Sequence, residues 1–179
     1  RELYSRKAEP AIFPIGGSVD LSSQEVEDGF VNWIKSCADK SIKSHSRDTP
    51  TFKLWHLNGS LESFSKEQTL LTFYELDQPT PVELNIAKNQ RKILFTSNFA
   101  LNIFKEFGVN NAHFLPLCFD HYNFNATGKK YFEDDRITFN LVGKFEKRKH
   151  HAKVIAAWLK KFGNNKKYFL QCAIYNPFL

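Results

Sequence analysis

The 179 residues contain no methionine and only three cysteines, Cys37, Cys118 and Cys172. Without the flexible thioether, cores must be filled by stiffer side chains. The three cysteines are odd in number and share no close metal-ligand spacing, so a reducing, cytoplasmic compartment is the expectation. No apolar run approaches the length that crosses a bilayer, and the opening RELYSRKAEP lacks a hydrophobic signal core. Catalytic signatures are missing too: there is no nucleophile elbow, P-loop, G-x-G-x-x-G fingerprint or H-E-x-x-H. His150 and His151 are adjacent and would not share a helix face, which argues against a two-histidine metal site. Asn58-Gly59-Ser60 and Asn125-Ala126-Thr127 fit the N-glycosylation pattern, which is without use unless the chain is secreted. The first residue is Arg1, so the start of the protein is expected to be missing.

What the chain has in quantity is rings and local positive charge. Eighteen Phe, six Tyr and three Trp within a 42% apolar composition are enough for a globular, ring-filled core. The formal charge is +6, but residues 129–167 carry +8 and the remainder −2. Such localisation favours a specific anionic ligand near the C-terminal part over diffuse affinity for nucleic acid or membrane.

Along the chain, strand-like and helix-like patterns alternate. Residues 11–15 form a short apolar run before Gly16-Gly17. Ser22 and Glu25 then make a capping box for a helix with Val26, Phe30, Trp33, Ile34 and Cys37 on one face. Residues 39–51 are polar and are expected to be a surface connection. Strands are predicted at residues 52–57, 70–74, 92–96 and 113–115. Thr80-Pro81-Val82-Glu83 is a helix start with a cap, a proline at the first position and a glutamate reaching back. Ser97 caps a further helix carrying Ala100, Ile103, Phe104 and Phe107, and Gly108 ends it. This alternation predicts an α/β fold, a Rossmann-like open parallel sheet flanked by helices. Residues 1–125 form the N-terminal domain, residues 126–136 a linker, and residues 137–179 the start of a second Rossmann-like domain. Those last residues are too few to complete such a domain, so the chain looks cut short.

The second domain opens on ITFNLVGKFEKRKHHAKVIAAW, residues 137–158. An apolar strand ends at Gly143, a basic loop holds Lys144, Lys147, Arg148 and Lys149, and a helix follows with Val154, Ile155, Trp158, Leu159 and Phe162 on one face. A strand ending in glycine and feeding a helix gathers backbone N–H groups and the positive helix end, which suits phosphate. A solvated basic face is the plainer alternative.

At these residues the chain resembles a known family. Val142-Gly143-Lys144, Lys149, Ile155 and Ala157-Trp158 are similar to the pattern that opens the donor-binding domain of retaining family 4 glycosyltransferases of the GT-B fold. Upstream, Ser97-Asn98-Phe99, Gly108-Val109, Leu115-Pro116, Phe119-Asp120 and Phe124 resemble the run that closes that family's N-terminal domain. Lys144 stands where arginine is commoner, Cys118 and His150 where glycine is usual. The resemblance implies a sugar transfer from a nucleotide-sugar to a hydroxyl acceptor on carbohydrate, lipid or protein, with retention at the anomeric carbon, in carbohydrate biosynthesis. It implies no cofactor and no essential metal. Gly143, Lys144 and Lys149 would bind the donor diphosphate, with Arg148 as substitute should the loop register differ by one. Thr72-Phe73-Tyr74-Glu75-Leu76-Asp77 is similar to a cleft-facing acidic segment of some members. Glu75 and Asp77 could accept hydrogen bonds from sugar hydroxyls or could simply build a turn. His56, Asn58 and Ser60, at another strand end, are candidates for the acceptor side, and His56 is the weak candidate for catalysis. The family's catalytic carboxylates would lie beyond Leu179, so the isolated chain is expected to be inactive.

Two other classes fit parts of the pattern. One is a basic Rossmann-like module that contacts nucleic acid through Lys144, Lys147, Arg148, Lys149 and Lys153. The other is a non-catalytic interaction fragment that self-associates through an unfinished sheet edge.

Overall fold

A computed structural model describes residues 1–22, 29–121, 124–126, 128 and 132–176. The chain divides into two compact units, Arg1–Asn125 and Ala126–Leu179. No helix among the described residues is long and apolar enough to cross a membrane.

In the first unit four strands, β1 (Thr51–Leu54), β2 (Gln68–Thr72), β3 (Lys92–Phe95) and β4 (Ala112–Phe114), form one sheet in sequential order, every neighbouring pair parallel. This is the mixed α/β class that the alternating pattern predicts, a Rossmann-like open sheet ordered like one half of a doubly wound one. Helices α3 (Pro81–Lys88) and α4 (Asn98–Glu106) make the crossovers from β2 to β3 and from β3 to β4. Register sets Leu70 beside Ile93 and Ile93 beside Ala112, so these three share a sheet face, and Ile86, Ala87, Ala100 and Phe104 from the helices complete the same core. Phe104 stands at its centre. Its ring lies 4.5 Å from Phe95 and 4.9 Å, edge-on, from Tyr74.

Local chemistry explains where the helices begin. Thr80 accepts from the Glu83 amide at 3.3 Å while the Glu83 carboxylate accepts from the Thr80 amide at 2.8 Å, a full capping box followed by Pro81. Ser97 accepts from the Ala100 amide at 3.2 Å and starts α4. A buried amide network, invisible in the apolar periodicity, ties β2 to the end of α3: the Gln68 side chain donates to Gln90 at 3.0 Å and Gln90 donates to the Ile86 carbonyl at 3.1 Å. Lys53 in β1 is also buried, its ammonium donating to the Glu62 carbonyl at 2.8 Å.

The N-terminal segment departs from the sequence expectation. Residues 11–15 form no strand; Pro10 and Pro14 remove two ladder donors, and the Ile12 amide donates instead to the Cys37 carbonyl at 2.9 Å. After a single turn, α1 (Glu2–Ser5), the long helix is α2 (Phe30–Ser44). It starts at Phe30 rather than after Ser22, with Gly29 as cap, while Glu25 and Val26 of the expected capping box and face lie outside the described residues. Gly29 takes a left-handed φ of +85°, and a Cβ there would stand 3.1 Å from the Tyr4 hydroxyl. The helix also runs on to Ser44, through half of the stretch expected to be a connection; Asp39, Lys43 and Ser44 are exposed there, and Lys40 pairs with Glu9.

The second unit pairs β5 (Ile137–Lys144) with β6 (Tyr168–Tyr175), parallel over all eight residues, and α5 (His151–Phe162) connects them. Phe139 stacks on Phe162 at 5.4 Å and lies 6.5 Å from Trp158. Val154 and Leu159, expected on the packed face, are 43% and 56% exposed. Two strands under one helix cover a stripe narrower than the apolar pattern suggests. The stretch expected as a linker contributes to this unit: Phe132 packs edge-on against Phe169 at 4.9 Å and the Arg136 guanidinium lies 3.6 Å over the Phe132 ring.

Tyr74 gives the first unit an alkaline signature. Burial, reinforced by the Glu83 and Asp77 carboxylates, pushes its phenol up to about 12 from an ordinary 10.0. A group held protonated in the fold contributes stability that is complete below the unfolded value and is lost as pH rises through the folded one. Urea unfolding should therefore show stability falling between pH ~10 and ~12, by on the order of 1–3 kcal/mol from this group, and Tyr74→Phe should remove that part of the slope. An unchanged slope in the variant would show that Tyr74 does not carry it.

Candidate functional site

The C-terminal ends of parallel strands collect loops and helix N-termini, and each unit has one such edge. In the first unit the turn after β1 holds His56, Asn58 and Ser60, and the segment after the neighbouring β2 holds Glu75 and Asp77. His56 is exposed and meets Trp55 edge-on at 5.5 Å, while Asn58 is exposed. Ser60 is not an open lining group. It is 2% exposed, and its hydroxyl donates to the His56 carbonyl at 2.7 Å, closing the turn. Glu75 and Asp77 are both exposed. The helix N-termini on this edge are occupied by their own caps, Thr80 with Glu83 and Ser97.

The second unit is arranged differently. At the end of β5, Gly143 has a φ of +141°, a conformation that side chains rarely adopt, and the Lys149 ammonium and the His151 Nε2 atom lie 3.6 and 3.9 Å from where its Cβ would stand. Beyond Lys144 the ladder continues one residue, the Phe145 amide donating to the Tyr175 carbonyl at 3.0 Å. The Asn176 side chain donates to the Phe145 carbonyl at 3.1 Å. Lys147–Lys149 then form a single 3₁₀ turn, so α5 proper starts at His151. His150 makes the corner with a left-handed φ of +51°. It occupies the position where the family pattern has glycine, and the turn keeps the glycine-like conformation with a side chain present.

Glu146 is the centre of the charge arrangement. Its carboxylate lies 3.0 Å from Lys144, 2.9 Å from Arg148 and 3.9 Å from Lys149. The three cations predicted to hold phosphate are thus brought together, and a carboxylate from the same loop stands among them. Hydrogen bonding from Lys144, with the nearby charges of Arg148, Lys144 and Lys149, holds the Glu146 carboxyl below the usual carboxylate range.

Beside this cluster a cavity of about 610 Å³ is lined by Phe145, Glu146, Lys147, His151, Lys153 and Asn176, among others. The N-terminus of α5 borders it, with no side-chain cap and no acidic residue in the first turn, so the amides that a helix leaves unsatisfied have no partner of that kind. His151 is 3% exposed and stacks on Phe145 with a 15° interplanar angle, yet its Nδ1 atom has no hydrogen-bond partner. Sequence reasoning missed His151, Asn176 and Glu146. The carboxylate could have been noticed as the one acid inside the KFEKRK run, whereas the burial of His151 had no local signal. A larger cavity, about 750 Å³, lies in the first unit between residues 10–15 and β1, with Ile12, Phe13, Phe52, Leu54 and Trp55 among its walls. Its apolar lining gives no comparable set of charges. Among the described residues no group of three or more His, Cys, Asp or Glu side chains could hold a metal ion, and all three cysteines are free.

No family model, curated protein or solved structure matches the chain.

Gly143 tests that geometry without touching a charge. Gly143→Ala should lower the stability of the second unit by about 1–2 kcal/mol, through backbone strain rather than collision, since 3.6 Å is ordinary contact. Amide hydrogen exchange across β5 and β6 would register the loss. Protection equal to that of the parent chain would mean that the loop does not require this conformation.

Proposed function

We propose that the β5–α5 junction binds the diphosphate of a nucleotide-sugar and that the chain serves in glycosyl transfer to a hydroxyl acceptor, in the manner of the GT-B enzymes that its motifs resemble. One observation supports this most directly: Lys144, Arg148 and Lys149 each come within 4 Å of an oxygen of the Glu146 carboxylate at the end of a parallel strand, beside the uncapped start of a 12-residue helix. Cations and free helix amides in one place attract phosphate by charge and by donated hydrogen bonds.

In such a reaction negative charge grows on the diphosphate as the sugar departs. Lys144 and Lys149 would stabilise that charge as fixed point charges, and the α5 amides would add donors that need no reorganisation. Retention at the anomeric carbon belongs to the same reading, as do the acceptor-side roles of His56, Asn58, Glu75 and Asp77. This chemistry asks for no metal, since side-chain cations do the neutralising.

A panel of nucleoside diphosphates and nucleotide-sugars in a thermal-shift assay tests the reading. A ligand at a hundred times its dissociation constant should add about 2.7 kcal/mol to the unit that binds it. The expected result is a shift selective for one base and abolished in Lys144→Ala/Lys149→Ala. Salt-sensitive retention of an oligonucleotide with no response to any nucleotide would reject the transferase in favour of a nucleic-acid module.

A further inference from the structure

Three cations around one carboxylate present a question of occupancy. The Glu146 side chain is 23% exposed and begins the 3₁₀ turn that carries two of its partners, so it is tethered within reach of all three. Of the other acids in the second unit, Asp134 is bound to Arg136 at 2.9 Å, and no ion pair among the described residues links Glu133 or Asp135 to the loop. Lys144, Arg148 and Lys149 against Glu146 leave a formal surplus of two positive charges. The cavity alongside holds two features that Glu146 leaves unused, the uncapped N-terminus of α5 and the buried Nδ1 atom of His151.

We propose that Glu146 is a resident counter-ion that an incoming anion must displace from Lys144, Arg148 and Lys149, and that this competition makes the site selective for a polyanion such as a diphosphate over a single phosphate. A tethered carboxylate acts at high effective concentration, so a compact anion that reaches only one of the cations at a time gains little by replacing it. A diphosphate spans more than one cation and sets several negative charges against the three cations that the displaced carboxylate leaves, so it wins the exchange. Displaced, the Glu146 carboxylate swings toward the solvent side of the cavity that it already borders. The inference rests on the anion-binding reading above but not on the identity of the nucleotide.

The test is calorimetric titration of the full 179-residue chain and of Glu146→Gln with inorganic pyrophosphate, orthophosphate and a nucleoside diphosphate at fixed ionic strength, with thermal unfolding to confirm that both chains fold. Removing the competitor should tighten pyrophosphate about tenfold and should narrow the preference for pyrophosphate over orthophosphate. A folded Glu146→Gln chain that binds pyrophosphate equally or more weakly would overturn the proposal. Should that variant fail to fold, the parent chain decides: the side-chain ¹³C signal of Glu146 must move on saturation with pyrophosphate, and a stationary signal overturns the proposal. The two readings separate cleanly. A gain for pyrophosphate with no advantage for the nucleoside diphosphate would keep the counter-ion and reject the transferase; nucleotide binding indifferent to Glu146→Gln would do the reverse. Binding of neither anion to either chain would reject both.

Discussion

Parallel strands cannot be joined by a tight turn, and the remainder of this molecule follows from that constraint. Each crossover has to travel back over the sheet, which is why α3, α4 and α5 exist and why they lie against Phe95, Ile93 and Phe139. The same constraint delivers the end of each strand and the start of the next helix to one edge. Every such junction exposes amides that the helix cannot satisfy by itself. In the first unit the solution is internal, through Thr80 with Glu83 and through Ser97. At the start of α5 no side chain does this, and the surrounding residues are cations. A junction that folds without its own side-chain cap, among like charges, adds little to stability.

Stability is correspondingly unequal. The first unit centres on Phe95, Phe104, Leu70 and Ile93, all fully buried, and adds a satisfied amide network through Gln68 and Gln90. In the second, no described residue of β5 or β6 is buried, and His151 is the one buried residue of α5. Its order depends on the parallel ladder and on rings around Phe139 and Phe162. Binding loops are drawn from such regions of low local stability, since a ligand can add there what the core does not supply.

The charge arrangement follows the same logic. Three cations within a few ångströms repel one another, and an acid inside the run relieves that repulsion in the absence of a ligand. Glu146 does so from within the loop, between the positive-φ residues Gly143 and His150. Lysine at position 144 fits this role. A single ammonium exchanges one acceptor for another more easily than a bidentate guanidinium fork would.

Local features were legible without the fold because their physics is local. The Thr80–Glu83 capping box, Pro81, the Ser97 cap, the glycine near the end of β5 and the alternation of strand-like with helix-like segments each depend on residues a few positions apart, and together they point to the α/β class. Where local signals failed, a distant partner was responsible. Residues 11–15 have strand-like composition but lie under two prolines and donate to α2, and residues 39–44 look like a loop but lengthen a helix whose other face is packed. The candidate site divides in the same way. The sequence by itself placed Lys144, Arg148 and Lys149 in one basic loop, because they are neighbours in the chain. Only the tertiary structure decided that they close on Glu146, that His151 is buried against Phe145, and that Asn176 anchors the loop. The Asn176 contact depends on the pairing of β5 with β6, and strand pairing is a long-range choice that neither propensity nor spacing encodes.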